Sequence, residues 1–66
     1  MLLLGIDIGS TTAKAVLRRD DEILYQKYER HYSQVREKTA ELLREAGKVA
    51  GDEPVAAAIS GSAGLG

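Results

Sequence analysis

Leu2-Leu3-Leu4-Gly5-Ile6-Asp7-Ile8-Gly9-Ser10-Thr11-Thr12 begins as one kind of segment and ends as another. Leu2 to Ile8 is short and apolar at nearly every position, and a Gly-Ser-Thr-Thr stretch stops it, so it reads as a strand. A strand apolar on both sides belongs in the middle of a sheet. Beyond the stop, Thr12 to Arg19 sets Ala13, Ala15 and Leu17 against Lys14, Val16 and Arg18. That period of two predicts a second strand with one face more buried than the other. Asp20-Asp21 makes a turn, and Glu22 to about Arg30, with Ile23, Leu24, Tyr25 and Tyr28, makes a third strand. The three form an antiparallel meander.

The next segment changes period. Val35, Thr39, Leu42, Leu43, Ala46 and Val49 recur at spacings of three and four, with charged residues between them, which predicts an amphipathic helix over about 34–50. Ser33 is the expected N-cap, Gly47 a mild internal weakness and Gly51 the C-terminal stop. After Pro54 a last strand runs from Val55 to Ser60. A helical crossover is long enough to return this strand parallel to the first, giving an α/β fold with a mixed sheet in the order 3-2-1-4. One helix covers one sheet face, and the last strand has an unsatisfied edge, so further neighbours are expected on both.

Sixty-six residues make one domain at most, with 44% hydrophobic and 29% charged residues but no Cys, Trp or Phe. Neither disulfides nor a Cys/His metal site can brace so thin a core. The formal net charge of −1, with the two signs interspersed, indicates no nucleic-acid footprint. No apolar run, Leu2 to Leu4 included, is long enough to span a membrane, and there is no secretory leader pattern, so a cytoplasmic location is expected.

Chemistry concentrates where the first strand ends. Asp7 places a carboxylate in an apolar strand, where burial without a partner would cost several kcal/mol. Gly9 lets the chain turn sharply and a ligand approach closely, while Ser10, Thr11 and Thr12 offer hydroxyl and amide donors to an anion. Asp7 repels a bare phosphate, so the arrangement makes sense with a hydrated magnesium ion between carboxylate and nucleotide oxygens. Lys14 adds a point charge near the outer phosphates. The plainer alternatives are a hairpin turn, an Asp7 bonded to local amides and a solvated Lys14. Gly61-Ser62-Ala63-Gly64-Leu65-Gly66 follows a strand and could line the same cleft, but it is neither a P-loop nor a dinucleotide fingerprint. His31 reads as a strand-end or surface residue with nothing nearby to complete a triad.

The string Gly5-Ile6-Asp7-Ile8-Gly9-Ser10-Thr11-Thr12-Ala13-Lys14 resembles the first phosphate motif of the superfamily joining sugar kinases, heat-shock chaperone ATPases and actin. Within it the string is most similar to the ATPase activators of 2-hydroxyacyl-CoA dehydratases and benzoyl-CoA reductases, the CoA-substrate-specific enzyme activases. The resemblance implies an RNase H-like (actin-like ATPase) half-domain in which Asp7 binds hydrated magnesium and the turn holds the β- and γ-phosphates of ATP. It implies an ATPase that drives an electron from a [4Fe-4S] cluster into a CoA-ester dehydratase or reductase. The cluster ligands, the second phosphate motif and the adenosine motif have no counterpart in this chain.

The smaller activators carry Thr-Gly-Tyr-Gly-Arg after the fourth strand, whereas this chain has Ser60-Gly61-Ser62-Ala63-Gly64, closer to the larger relatives. Ile59-Ser60-Gly61 with Ala63-Gly64 also resembles the carbohydrate kinases of the glycerol kinase and xylulokinase type, the rival reading, which lacks its sugar-facing insertion here. The resulting expectation is the phosphate-binding piece of an ATPase, inactive alone and partnered by the rest of its ATPase domain. The third reading is a non-catalytic piece that forms homo-oligomers through its open sheet edge.

Overall fold

In a computed structural model, whose described residues are 1–61, four strands and one helix follow in the order β1 (Leu2–Ile8), β2 (Thr12–Arg19), β3 (Glu22–Arg30), α1 (Val35–Ala50) and β4 (Val55–Ser60). They form one mixed α/β sheet in the order β3-β2-β1-β4, with β1 antiparallel to β2 and parallel to β4. The expected sheet order is therefore the observed one.

Alternation decides which side is the core. Leu2, Leu4, Ile6 and Ile8 of β1 and Ala13, Ala15 and Leu17 of β2 are buried, and Leu42 and Ala46 of α1 pack onto them. In the β1/β2 register Leu4 faces Leu17, Ile6 faces Ala15 and Ile8 faces Ala13. Ile6 and Ile8 thus meet alanines on the next strand, which leaves room for the helix. Burying each Leu or Ile side chain contributes about 1.5–3 kcal/mol before the entropy of ordering it.

The opposite face has no layer over it among the described residues. Leu3 is 47% exposed and Asp7 is exposed, so β1 is central by position but covered on one side only. The apolar run Leu2-Leu3-Leu4 suggested two covered faces, whereas the burial strictly alternates. The helix also stops short of β4. Leu43, assigned to the packed stripe by spacing, is 42% exposed because α1 lies over β1, β2 and β3 and leaves the β4 side of its apolar arc open; Val49, in the last turn of the helix, is 47% exposed.

Toward β3 the interface becomes polar. Tyr25 Oη donates to Glu45 at 2.6 Å, Lys27 Nζ lies 3.1 Å from both oxygens of Glu45, and Lys38 Nζ bridges Glu29 and Glu41 at 3.3 and 2.9 Å. Hydrogen bonding to Glu45 and then to Glu29 raises Lys27 above the ordinary lysine value, and the bond from Tyr25 leads in lowering Glu45. Burial, reinforced by Glu45, pushes Tyr25 up to about 12.

Ser33 is not the N-cap. The capping position is Gln34, which makes no side-chain cap bond; its carbonyl accepts the first helical bond from Lys38 at 3.0 Å. Ser33 has φ 65° and its N–H donates to the His31 ring, so it completes a tight turn rather than opening the helix. The preceding Tyr32 is left-handed too, at φ 51°. Two successive non-glycine residues in that region cost roughly 1–3 kcal/mol each unless neighbours hold them. At the other end Gly51, at φ 65°, closes the helix by donating to the Gly47 carbonyl, as its sequence position predicts.

Candidate functional site

The register of the sheet brings together residues scattered through the sequence. Asp7 pairs with Lys14 on β2, Lys14 with Tyr28 on β3, and Asp7 with Ser60 on β4. Because side chains alternate and the odd-numbered residues of β1 face away from the helix, Tyr28, Lys14, Asp7 and Ser60 form one row across the uncovered face. One row inward, Gly5 contributes no side chain and Ala58 almost none. The result is a concavity of about 290 Å³ lined by Gly5, Ile6, Asp7, Lys14, Val16, Ala58 and Ser60.

Asp7 is not spent on the fold. Its side-chain contact is with Ser60, whose Oγ donates to Oδ1 at 3.5 Å, the outer limit of a hydrogen bond. Among the described residues neither Asp7 nor Lys14 forms an ion pair, although the two are register partners. The sequence suggested a carboxylate needing rescue from an apolar interior. The exposed side chain instead meets water and any ligand lying on the sheet.

The bend beyond β1 is tight and tied. Gly9 N–H donates to the Thr12 carbonyl at 2.8 Å, closing the loop, and the His31 N–H donates to the Thr11 carbonyl at 3.0 Å. Ser10 and Thr11 are exposed, and among the described residues their own N–H groups donate to no main-chain carbonyl. Gly9 has an ordinary φ, so the tight bend does not draw on the left-handed backbone that favours glycine. A Cβ there would make ordinary contact, 3.5 Å from Thr12 Oγ1, on the hydroxyl-bearing side of the bend. What glycine contributes at this position is open space beside the hydroxyl.

The residue that must be glycine is Gly61, immediately after β4. It has φ 118°, and a Cβ would overlap the main-chain oxygen, carbon and nitrogen of Ile8. The chain leaving Ser60 therefore lies directly against the backbone next to Asp7. Ser62, Ala63, Gly64, Leu65 and Gly66, expected to line the cleft with Gly61, lie outside the described residues.

Two participants escaped the sequence reading. Ser60 reaches Asp7 only through the parallel β1/β4 register, which the strand order implies but no local motif announces. His31 is not a surface residue: at 3% exposure it is buried, with Nε2 at the Gly9 carbonyl of the bend and Nδ1 accepting from the Ser33 N–H.

As a donor set, one carboxylate and several hydroxyls fit a magnesium ion that keeps its waters and takes further oxygens from phosphate. No group of three His, Cys, Asp or Glu side chains converges among the described residues, so the donors do not amount to an all-protein metal cage. The chain contains no cysteine, so it has no thiolate for an iron–sulfur cluster. Comparison with protein-family models, curated proteins and solved structures finds no significant match to the chain.

Proposed function

We propose that this chain supplies the first phosphate-binding wall of an ATPase with an RNase H-like, actin-like nucleotide cleft, of the kind that activates CoA-ester dehydratases or reductases by ATP-driven electron transfer. One observation carries the reading. An uncommitted carboxylate, Asp7, stands at the exit of a central strand in register with Lys14 on the neighbouring strand, and the next bend offers exposed hydroxyls and main-chain N–H groups. Opposite charges side by side suit a ligand that is itself composite, an anion carrying a cation.

In this reading Asp7 holds hydrated magnesium through water. Gly9, Ser10, Thr11 and Thr12 receive the β- and γ-phosphates, and Lys14 offsets charge on the outermost oxygens. Magnesium would supply neutralisation of the phosphate charge. The chain's own contribution is positioning: the strand fixes the carboxylate, and the bend presents donors without a rotamer search. Electron transfer and the partner enzyme follow from the motif resemblance and require residues other than those in this chain.

The test is a titration of the ¹⁵N-labelled chain with ADP and magnesium. Saturable shifts centred on Gly9 to Thr12 should require magnesium and be lost in Asp7→Asn, with the rest of the spectrum unchanged. Shifts that persist in Asp7→Asn, or that never arise in the wild type, refute the assignment.

A second reading has its own observation. β4 has no charged residue and is exposed along its whole length, whereas the opposite edge strand β3 carries Glu22, Lys27, Glu29 and Arg30. Charged edges resist pairing with other chains and uncharged ones permit it. A non-catalytic piece that self-associates through β4 is the alternative this contrast favours.

A further inference from the structure

We propose that His31 is a positioning residue for the phosphate bend: its ring and main chain hold two carbonyls of the Gly9–Thr11 segment and thereby aim the amide donors that receive phosphate. The inference rests on the phosphate-site reading above and adds how that site is kept in shape.

The hydrogen bonds define the state of the ring. Nε2 lies 2.9 Å from the Gly9 carbonyl oxygen, which can only accept, so Nε2 carries a proton. Nδ1 lies 3.1 Å from the Ser33 N–H, which can only donate, so Nδ1 presents its lone pair. These partners select the neutral imidazole and one of its two tautomers. The His31 N–H adds a bond to the Thr11 carbonyl at 3.0 Å. One buried residue therefore grips the bend at both ends.

Holding the Gly9 carbonyl also orients an amide. In a planar trans peptide the C=O and the following N–H point in opposite directions. With the Gly9 oxygen turned to the His31 ring, the Ser10 N–H must point away from it. The Thr11 carbonyl, held by the His31 main chain, fixes the next peptide plane but one. Without the imidazole, the Gly9–Ser10 peptide is free to rotate and its N–H has no fixed aim.

The turn after His31 is built to keep the ring in place. Tyr32 and Ser33 occupy the left-handed region in succession, and Ser33 is held there by its bond to Nδ1. The Gln34 N–H returns to the His31 carbonyl at 2.7 Å. Such unfavourable backbone persists where surroundings over-determine it, and here the surroundings are the ring that touches the bend. None of these contacts places His31 on a reacting atom, so its role is positioning.

Three variants separate positioning from packing. His31→Gln places an amide N–H near Nε2 and can still hold the Gly9 carbonyl. His31→Asn offers an oxygen near Nδ1 but loses that bond, and His31→Ala loses both. Magnesium–ADP is the probe, with amide shifts of Ser10 and Thr11 as the readout and urea unfolding of each variant alongside. Dissociation constants should rise about tenfold in His31→Asn and His31→Ala, the size expected for misaimed donors, and change little in His31→Gln even where its stability matches that of His31→Asn. Ring ¹⁵N shifts of the wild type should show the neutral, Nε2-protonated form.

Equal affinity in all variants overturns the positioning role while leaving the site intact. Affinity loss that follows stability alone, with Gln no better than Asn, overturns it in favour of packing. A wild type that does not respond to magnesium–ADP overturns the phosphate-site reading itself, and the role of His31 falls with it.

Discussion

At Asp7 and its neighbours, small differences in side-chain volume separate a usable site from a blocked one. Gly61 is the clearest instance. Substituting Ala would set a methyl group into the Ile8 main chain while forcing a Cβ into φ 118°, a region L side chains rarely adopt. We expect Gly61→Ala to cost at least about 2 kcal/mol, through strain or through release of the end of β4. Urea unfolding should register the loss, and amide shifts should localise it to Ile8, Asp7 and Ser60. A spectrum and midpoint equal to wild type would mean that the close approach does not exist in solution. Gly9, by contrast, has space for a Cβ, so Gly9→Ala should be tolerated by the fold and felt only by a ligand.

For the elements, the helix–β3 seam and the Arg19–Glu53 pair make stability depend on pH. Glu29, Glu45 and Glu53 all lie below the ordinary carboxylate value of 4.5: Glu29 through its bond with Lys27, Glu45 through Tyr25 and Lys27, and Glu53 through Arg19. A lowered carboxylate favours the folded chain while ionised, so its contribution is complete above about pH 4.5 and disappears as acidification passes the folded-state values. Tyr25 works oppositely: raised to about 12 from 10.0, it stabilises while protonated and its contribution is lost as the solution becomes strongly alkaline. Urea midpoints should thus fall between about pH 5 and about pH 3, and Lys27→Met should flatten that fall. Partial exposure and salt screening keep the effect modest. An acid response unaltered by Lys27→Met would remove the seam as its cause.

The same elements show what pattern reading reaches. Ala13, Ala15 and Leu17 at period two fixed both the strand and its buried face, because each residue's side follows from its neighbour's. The helix was equally legible, but Leu43 and Val49 were not, since their exposure depends on where α1 ends its cover of the sheet. Ser33 looked like a cap by residue type, and the tertiary bond to His31 drew it into a turn instead. The Asp7–Lys14 pairing was implicit in a short hairpin, whereas Ser60 and His31 arrive at the site through contacts remote in sequence.

In the whole molecule, the two faces and two edges of the sheet differ in kind. One face is a core with α1; the other carries the row Tyr28, Lys14, Asp7 and Ser60. No helix among the described residues is long and apolar enough to cross a membrane. If the uncharged β4 edge governs association, light scattering coupled to size exclusion will give a mass above the 7.1 kDa of one chain, and Ala56→Lys, on the uncovered face and away from Asp7, will restore that mass. A wild type already at monomer mass at high concentration removes the self-association reading and leaves the phosphate wall as the sole account of the exposed row.

The pairing of Asp7 with Ser60 also orders events in time. The β1–β2–β3 meander zips from adjacent residues, but Ser60 reaches Asp7 only across 53 positions, after the entire crossover has been laid down. Long chain closures come late because their entropy must be met before any contact rewards it. Half-formed molecules therefore carry the acid without its rim, and retention on an immobilised nucleotide would select those that have finished folding.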